Sequence, residues 1–398
     1  MIKNVHRTGN RQAPAAIAPF DCHTADLVIN YHQSFPEYAV TPLQNLQALA
    51  ASLGVKGVFL KDESYRFGLN AFKVLGGSFA IGRYIAEAIA MPVEQMTMAG
   101  LLAEDVIRKF GKQTFITTTD GNHGRGIAWT AARLGQHAVV NMPQGTADER
   151  LNNILALGAE ATILDMNYDD AVRYSNALAI KNGWIMVQDT AWEGYEAIPL
   201  TIMQGYLTMV YETVRQLPVK PTHVFIQAGV GSVAGTVQAL LKNYYGEACP
   251  IVTIVEADKA ACLYETALAA DGTLHNVGGD LATMMAGLAC GEPNSLAWKI
   301  LDAYADNFAK CSDEVAAQGM RILANPLGDD PKVVSGESGA VGIGMLSELM
   351  RSAKYVDIKN TLQLDEDSVV LCFSTEGATD KENYQRVIWD GIPSRCKL

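Results

Sequence analysis

Hydrophobic and polar positions follow one another in blocks that predict short strands, each leading into a longer helix. Runs such as 223–227 and 251–256 are apolar and β-branched, and glycine-containing loops separate them from stretches with helical spacing. Further strands are predicted at 115–119, 138–142, 161–164, 184–188 and 368–373, and helices at 123–134, 150–157, 169–181, 199–216, 233–241 and 340–352. This alternation is typical of parallel sheets covered by helices on both faces.

The length of the chain allows two such sheets. It has 398 residues, of which 49% are hydrophobic and 19% charged, the usual composition of a globular protein. We therefore expect an α/β fold with two open, twisted, mostly parallel sheets in a large and a small lobe. Ligands bind such folds where loops leave the carboxyl ends of the strands.

The net charge and the lengths of the apolar runs argue against several kinds of partner. The net charge of −12 argues against nucleic acid and anionic membranes, since both need a cationic face. No apolar run approaches the roughly 18 residues of a membrane span, and we expect no signal peptide and a cytoplasmic location.

The seven cysteines form no C-x-x-C pair and are expected to be free, mostly buried thiols. No cluster has the spacing of metal ligands, so no metal is expected.

A glycine-rich turn follows the strand at 223–227. Gly229-Val-Gly231-Ser-Val-Ala234 matches G-x-G-x-x-A, and Glu256 ends the next strand, where a ribose-binding acid would sit in an NAD enzyme. However, backbone N–H groups at a helix start suit any phosphate. The motif therefore predicts a phosphate site without choosing the phosphate, and a tight turn without a ligand remains an alternative.

Two other segments carry candidate chemistry. Lys73 lies between Phe72 and Val74 at a helix start, and loss of solvation is expected to lower its pKa, as a Schiff-base lysine requires. The alternative is a lysine whose apolar stem is buried and whose amine reaches solvent. The segment Thr117-Thr-Thr-Asp-Gly-Asn-His-Gly124 follows a strand and opens a helix, which favours a carboxylate or phosphate site over a simple N-cap cluster. Within it, His123 is expected to pack and orient rather than act as a base.

Taken together and in order, these segments resemble the fold-type II enzymes that use pyridoxal phosphate (PLP), such as threonine dehydratases and the tryptophan synthase β chain. The resemblance is carried by Lys61-x-Glu63, Asn70-Ala-Phe-Lys73-x-x-Gly76, Thr119-Asp-Gly-Asn-His-Gly124, Gly229-Val-Gly231-Ser-Val, Gly336-Glu-Ser-Gly-Ala340 and Ser374-Thr-Glu-Gly377. It implies that Lys73 holds PLP covalently and that Asn122 hydrogen-bonds the ring oxygen. Ser374 or Thr375 would face the pyridine nitrogen. The phosphate would lie on the loop formed by Gly229, Val230, Gly231, Ser232 and Val233.

Two residues depart from the dehydratases: Ala71 stands where they usually have a serine before Phe-Lys, and Asp120 is the more telling departure. They have a small residue before Gly-Asn-His, whereas this chain has Asp120. A carboxylate in a carboxylate-binding loop is unfavourable unless it meets a cation, and a second amino group on the substrate would supply one. Asp189 could add to that role. N-capping is the alternative for both aspartates.

Longer segments resemble the diaminopropionate ammonia-lyases. They include Phe67-Gly-Leu-Asn-Ala-Phe-Lys73, Met166-Asn-Tyr-Asp-Asp170, Gln188-Asp-Thr-Ala-Trp-Glu-Gly-Tyr195, Asn276-Val-Gly-Gly-Asp280 and Met285-Ala-Gly-Leu-Ala-Cys-Gly-Glu-Pro-Asn294. The resemblance implies elimination of ammonia from D- and L-2,3-diaminopropionate, giving pyruvate and two ammonia. It also implies a homodimer, with a large lobe at 1–75 and 197–398 and a small lobe at 76–196.

Within that resemblance, Lys73 would take the α-proton of the L-isomer and Asp120 that of the D-isomer. The substrate would contact Thr118, Thr119, Asp120, Tyr168 and Asp189. A serine or threonine dehydratase, a catalytically inactive PLP-binding sensor and an NAD oxidoreductase are the rival interpretations.

Overall fold

The fold alternates strands and helices along almost the whole chain; the structure, a computed structural model, describes residues 1–7 and 13–392. The strands are β1 Ile2–His6, β2 Leu43–Asn45, β3 Gly57–Asp62, β4 Thr114–Thr118, β5 His137–Met142, β6 Glu160–Ile163, β7 Ile185–Met186, β8 His223–Gln227, β9 Ile251–Ala257, β10 Asn307–Cys311 and β11 Val369–Ser374. The helices are α1 Pro14–Ile17, α2 Cys22–Gln33, α3 Gln47–Leu53, α4 Val74–Ala88, α5 Met98–Leu101, α6 Glu104–Phe110, α7 Asn122–Arg133, α8 Asp148–Leu155, α9 Tyr168–Asn182, α10 Ala197–Gly205, α11 Leu207–Gln216, α12 Ser232–Tyr245, α13 Cys262–Ala269, α14 Ser295–Tyr304, α15 Asp313–Ala324, α16 Glu337–Arg351, α17 Val356–Thr361 and α18 Lys381–Ile388.

Seven strands form a large sheet in the order β1-β10-β9-β8-β11-β3-β2. The edge strands β1 and β2 are antiparallel to their neighbours, and the inner strands are parallel. Alternate residues of β8 enter two separate apolar cores, Val224 and Ile226 on one face and Phe225 on the other. Burial on both faces explains why β8 and β11 are continuous apolar runs.

Four parallel strands form a small sheet in the order β6-β5-β4-β7. They all lie between β3 and β8 in sequence, so one continuous segment supplies the whole sheet. Helices α4 and α7 pack closely against each other, and a Cβ atom on Gly126 would lie only 2.8 Å from Val74 Cα. The two mostly parallel sheets confirm the expected fold class. The lobe boundaries at residues 75/76 and 196/197 stay a prediction.

A buried ionic cluster anchors the segment that leads to Lys73. Lys61 Nζ donates to Glu212 Oε2 at 2.8 Å, and Arg66 donates to Glu63 at 2.8 Å and to Glu212 at 2.7 Å. All four side chains are at most 3% exposed. Because each charge has a hydrogen-bonded partner, the cluster holds β3, the loop after it and α11 in one arrangement.

Two predicted elements differ from the structure. The single helix expected at 199–216 is two helices, α10 and α11, separated at Tyr206. Gly205 has a low helix propensity and packs so tightly that a Cβ there would be 2.5 Å from Leu75 O, while the ring of Tyr206 packs against Phe72. The strand expected at 184–188 is only Ile185–Met186, because the residues after it turn towards the cleft described below.

Two further predictions from the sequence concern the cysteines and the membrane-spanning helices. Its six cysteines are unpaired and four of them are buried, as expected, whereas Cys396 lies outside the described residues. No helix among residues 1–7 and 13–392 combines the length and apolar character of a membrane span.

Candidate active site

A cleft lies where loops from both sheets meet. Lys73 immediately precedes α4, Asn122 and Tyr168 open α7 and α9, and Asp189 follows β7. Ten of the fourteen residues predicted for the site line this cleft: Lys73, Asn122, Tyr168, Asp189, Gly229, Val230, Gly231, Ser232, Val233 and Thr375. The structure therefore brings together segments that are far apart in sequence.

Lys73 is paired with a carboxylate. Its Nζ donates to Asp189 Oδ2 at 2.8 Å, and only 16% of the lysine side chain is exposed. Burial alone lowers the pKa of Lys73, but the carboxylates of Asp189 and Asp120 outweigh burial and raise this pKa above its ordinary value. The expectation of a lowered pKa for Lys73 is therefore wrong, because the sequence did not reveal Asp189 as the partner of the lysine.

The same interaction acts on Asp189. Burial alone would raise its pKa, but Lys73 and the nearby His123 lower the pKa to about 2. Tyr168 Oη donates to Asp189 Oδ1 at 3.3 Å, and Gln188 Nε2 donates to Tyr168 Oη at 2.8 Å. Asp189 is thus a carboxylate at neutral pH, positioned to hold a cation in the cleft.

The predicted phosphate loop has the expected geometry. Gly231 has φ +105°, in the region that favours glycine, and it immediately precedes the first helical residue of α12, Ser232. Among the described residues, the amides of 229–233 meet no acceptor, so the loop presents a row of N–H donors at the start of a helix. Ser232 Oγ donates to the carbonyl of Asp189 at 2.6 Å and joins this loop to the end of the small sheet.

Asp120 lies at the edge of the cleft. Its Oδ2 accepts from Arg150 Nη1 at 3.0 Å, and Arg150 Nη2 donates to Glu337 Oε1 at 2.8 Å. A Cβ on Gly287, which lines the cleft, would be 3.7 Å from the Asp120 carboxylate. Asp120 thus approaches the cleft behind Gly287, and the cation it meets here is Arg150.

Three predicted side chains lie outside the cleft. Thr118 Oγ1 donates to Ala171 O at 3.0 Å, and Thr119 Oγ1 accepts from Gly121 N at 2.9 Å. Ser374 Oγ donates to Ser335 Oγ at 2.8 Å. These hydroxyls are engaged within the protein, and the expectation that the three residues contact substrate or cofactor stays a prediction. Of the two candidates for the pyridine nitrogen, only Thr375 lines the cleft.

Several residues of the cleft were not predicted from the sequence: Tyr206, Gln227, Cys290, Ser338 and Glu376. Glu376 directly follows Ser374-Thr, so the motif itself gave a signal for it. Asn122 Nδ2 donates to Glu376 Oε2, and Ser338 N donates to Glu376 Oε1 at 3.2 Å. Gln227 carried no such signal, because a glutamine at a strand end is common.

Residues 35–372 match the family described as pyridoxal-phosphate dependent enzymes. The chain is 50% identical over 375 residues to diaminopropionate ammonia-lyase of Escherichia coli (strain K12), a match that covers 94% of this chain and 93% of that protein. The chain belongs to the diaminopropionate ammonia-lyases. It is also 47% identical to the Salmonella typhimurium (strain LT2) member over 382 residues, or 95% of each protein.

Solved structures of diaminopropionate ammonia-lyase superpose closely on this chain. The Escherichia coli lyase in complex with D-serine superposes with a TM-score of 0.91 and 46% identity, covering 99% of this chain and 98% of that one. The same lyase with an aminoacrylate-PLP azomethine reaction intermediate gives a TM-score of 0.90 and 45% identity over the same shares. Threonine deaminase isoform 2 of Solanum lycopersicum, 17% identical with a TM-score of 0.71, shares the fold.

The residues of the cleft fit the PLP that this family uses. An amine at Lys73, a row of donors at 229–233 and several polar side chains line the same cleft. Within the described residues, the buried atoms Tyr206 Oη, Gln227 Oε1 and Ser338 Oγ have no hydrogen-bond partner, which suits a polar ring in the cleft. An NAD site is not formed, because Glu256 accepts from the amides of Leu263 and Tyr264 instead. Among residues 1–7 and 13–392, no cluster of His, Cys, Asp or Glu is arranged to hold a metal.

Proposed function

We propose that this PLP-dependent lyase eliminates ammonia from both D- and L-2,3-diaminopropionate, giving pyruvate and two ammonia. The observation that carries the proposal is the Asp189 carboxylate, which lines the cleft 2.8 Å from the Lys73 amine, with Asp120 at the edge of the cleft. A substrate with a second ammonium group can replace Lys73 as the cation that pairs with Asp189, whereas a hydroxy amino acid cannot. The names of the relatives support the same substrate.

PLP, when bound, withdraws electrons from the substrate's α-carbon and so makes its proton acidic. Lys73 and Asp189 lie 2.8 Å apart, so a substrate ammonium that pairs with Asp189 would replace the lysine as its cation. The Lys73 amine would then be neutral and able to take the α-proton of the L-isomer. Tyr168, oriented by its hydrogen bond from Gln188, would help Asp189 to hold the β-ammonium.

Asp120 is the base that we propose for the D-isomer, whose α-proton points to the opposite face of the cofactor plane. The ion pair with Arg150 holds the Asp120 side chain at the edge of the cleft near Gly287. Asn122 would contact the ring oxygen of PLP, and Thr375 its pyridine nitrogen. The amides of 229–233 would hold the phosphate.

The proposal is tested by pyruvate formation from purified holoenzyme. Both diaminopropionate isomers should react quickly, and D-serine, L-serine and L-threonine slowly. Asp120→Asn should abolish turnover of the D-isomer and spare much of the turnover of the L-isomer. Equal losses on both isomers would refute the two-base mechanism, and a preference for serine or threonine would favour a dehydratase.

We also propose a cytoplasmic homodimer with the lobe boundaries given above. The unpaired thiols of the described cysteines support the location, because reducing compartments keep cysteines free. The homodimer rests on the family resemblance, and light scattering on the purified enzyme tests it.

A further inference from the structure

Gln227 occupies a position in the cleft that the proposed mechanism does not use. It is the last residue of β8, beside β11, and is 1% exposed. Its Nε2 donates to Phe373 O at 2.9 Å and to Thr375 Oγ1 at 2.7 Å. Because a backbone carbonyl only accepts, the contact with Phe373 establishes which end of the amide faces β11. The NH₂ group is therefore the end that meets Thr375.

The direction of this bond determines what the Thr375 hydroxyl can do. A hydroxyl has one proton, and Thr375 Oγ1 already accepts from Gln227. Within the described residues its own proton has no acceptor, and the side chain, 3% exposed, lines the cleft. The hydroxyl is thus set to donate into the cleft.

The backbone around Thr375 is held as well. Its carbonyl accepts from the amide of Phe72, next to Lys73, at 3.0 Å. On its other side, a Cβ on Gly339 would lie 3.1 Å from Thr375 N, so α16 packs directly against this residue. A hydroxyl fixed on a backbone that is packed on both sides keeps its orientation while the reaction proceeds.

We propose that Gln227 is a positioning residue that keeps the pyridine nitrogen of PLP unprotonated. By donating to Thr375, it obliges the threonine to donate to the ring nitrogen, and a nitrogen that accepts a hydrogen bond must have an unprotonated lone pair. A hydroxyl free to turn could instead accept from a protonated ring, which would then withdraw electrons more strongly. The inference rests on PLP binding and not on the choice of substrate.

One carboxylate could act against this arrangement. Glu376 also lines the cleft, and a carboxylate facing the ring nitrogen would favour the protonated form. However, Asn122 Nδ2 donates to one Glu376 oxygen and Ser338 N to the other at 3.2 Å. Glu376 is therefore directed to protein donors, which leaves Thr375 as the group for the ring.

The test measures the ring nitrogen directly, by ¹⁵N NMR of holoenzyme reconstituted with PLP labelled at that atom and without substrate. We expect the free-base position at neutral pH in the wild type and in Thr375→Ser, which keeps the hydroxyl. Gln227→Glu supplies an acceptor and should move the resonance to the pyridinium position. Gln227→Met removes the donor at similar volume and should raise the pH at which the nitrogen gains its proton.

A matched control is available elsewhere in the fold. Gln238→Met removes another glutamine that is 1% exposed and has an unpaired Oε1, but it does not line the cleft, and it should leave the resonance unchanged. A pyridinium signal in the wild type would overturn the proposal and point to Glu376. An unchanged free-base signal in both Gln227 variants would overturn it too. The wild-type spectrum requires no substitution, so a variant that fails to fold leaves the proposal testable, and the result is independent of which amino acid the enzyme consumes.

Discussion

Exchanging Asp189 for asparagine should change how quickly the enzyme captures its cofactor. Lys73 Nζ lies 2.8 Å from the Asp189 carboxylate, which raises the pKa of the lysine above its ordinary value. Unit charges at this separation interact by about 6 kcal/mol at an effective dielectric constant near 20, equivalent to about 4 pKa units. Asparagine keeps a dipole and a hydrogen bond, so we expect the pKa of Lys73 to fall by roughly 2–3 units.

The assay follows PLP uptake by the cofactor-free enzyme as a function of pH, through the absorbance of the bound cofactor. Only the neutral amine attacks the aldehyde, so at neutral pH Asp189→Asn should react roughly 100-fold faster than the wild type, given tenfold per pKa unit. Asp170→Asn is the matched control, because Asp170 is an exposed acid paired with Arg173 on α9. Identical pH–rate curves for the wild type and Asp189→Asn would refute the reasoning.

Three further predictions follow from the site and its surroundings. Gly231→Ala should weaken PLP binding by roughly tenfold or more, measured by equilibrium dialysis, because φ +105° costs an L-residue about 1–2 kcal/mol. Arg150→Met leaves the buried carboxylate of Glu337 without its partner and should lower stability to urea by about 3–5 kcal/mol, whereas exposed Arg173→Ala should change it by less than about 1 kcal/mol; equal effects would contradict this. Burial and then the neighbouring Glu292 raise the pKa of Asp169 from 3.8 to about 6, so the folded state binds more protons between these values and loses stability as pH rises through them. Asp169→Asn should therefore raise Tm at pH 8 but not near pH 4, and a pH-independent difference would exclude that origin.

Much of the fold was visible in local sequence patterns. The strands β8 and β9 agree with their predicted positions to within one residue, because continuous apolar, β-branched runs bounded by loops have few other interpretations. The break at Tyr206 was missed, because its cause is the close approach of Gly205 to α4, a contact between segments well separated along the chain. Tertiary packing overrode a helical pattern that was locally continuous.

The site was predictable where chemistry and neighbouring residues coincide. The glycine-rich loop at 229–233 was recognised because its donors all come from one turn. The raised pKa of Lys73 was not predicted, because its partner Asp189 is 116 positions away in the sequence. The same applies to Gln227, whose contact with Thr375 spans 148 positions. Of the Ser374-Thr375 pair, only Thr375 lines the cleft, because Ser374 Oγ donates to Ser335 Oγ instead. The sequence does not reveal this contact between distant segments.

The place of β11 in the large sheet has a consequence for synthesis on the ribosome. The small sheet comes from one uninterrupted segment and can assemble as soon as residues up to β7 have emerged. By contrast, β11 is the last strand of the described part, yet it lies between β3 and β8 and carries Thr375 at its end. Contacts over such separations form late, so the nascent chain exposes the apolar edges of β3 and β8 until β11 has emerged. Chaperone binding during this interval and cofactor loading only after Thr375 has emerged are the expected results.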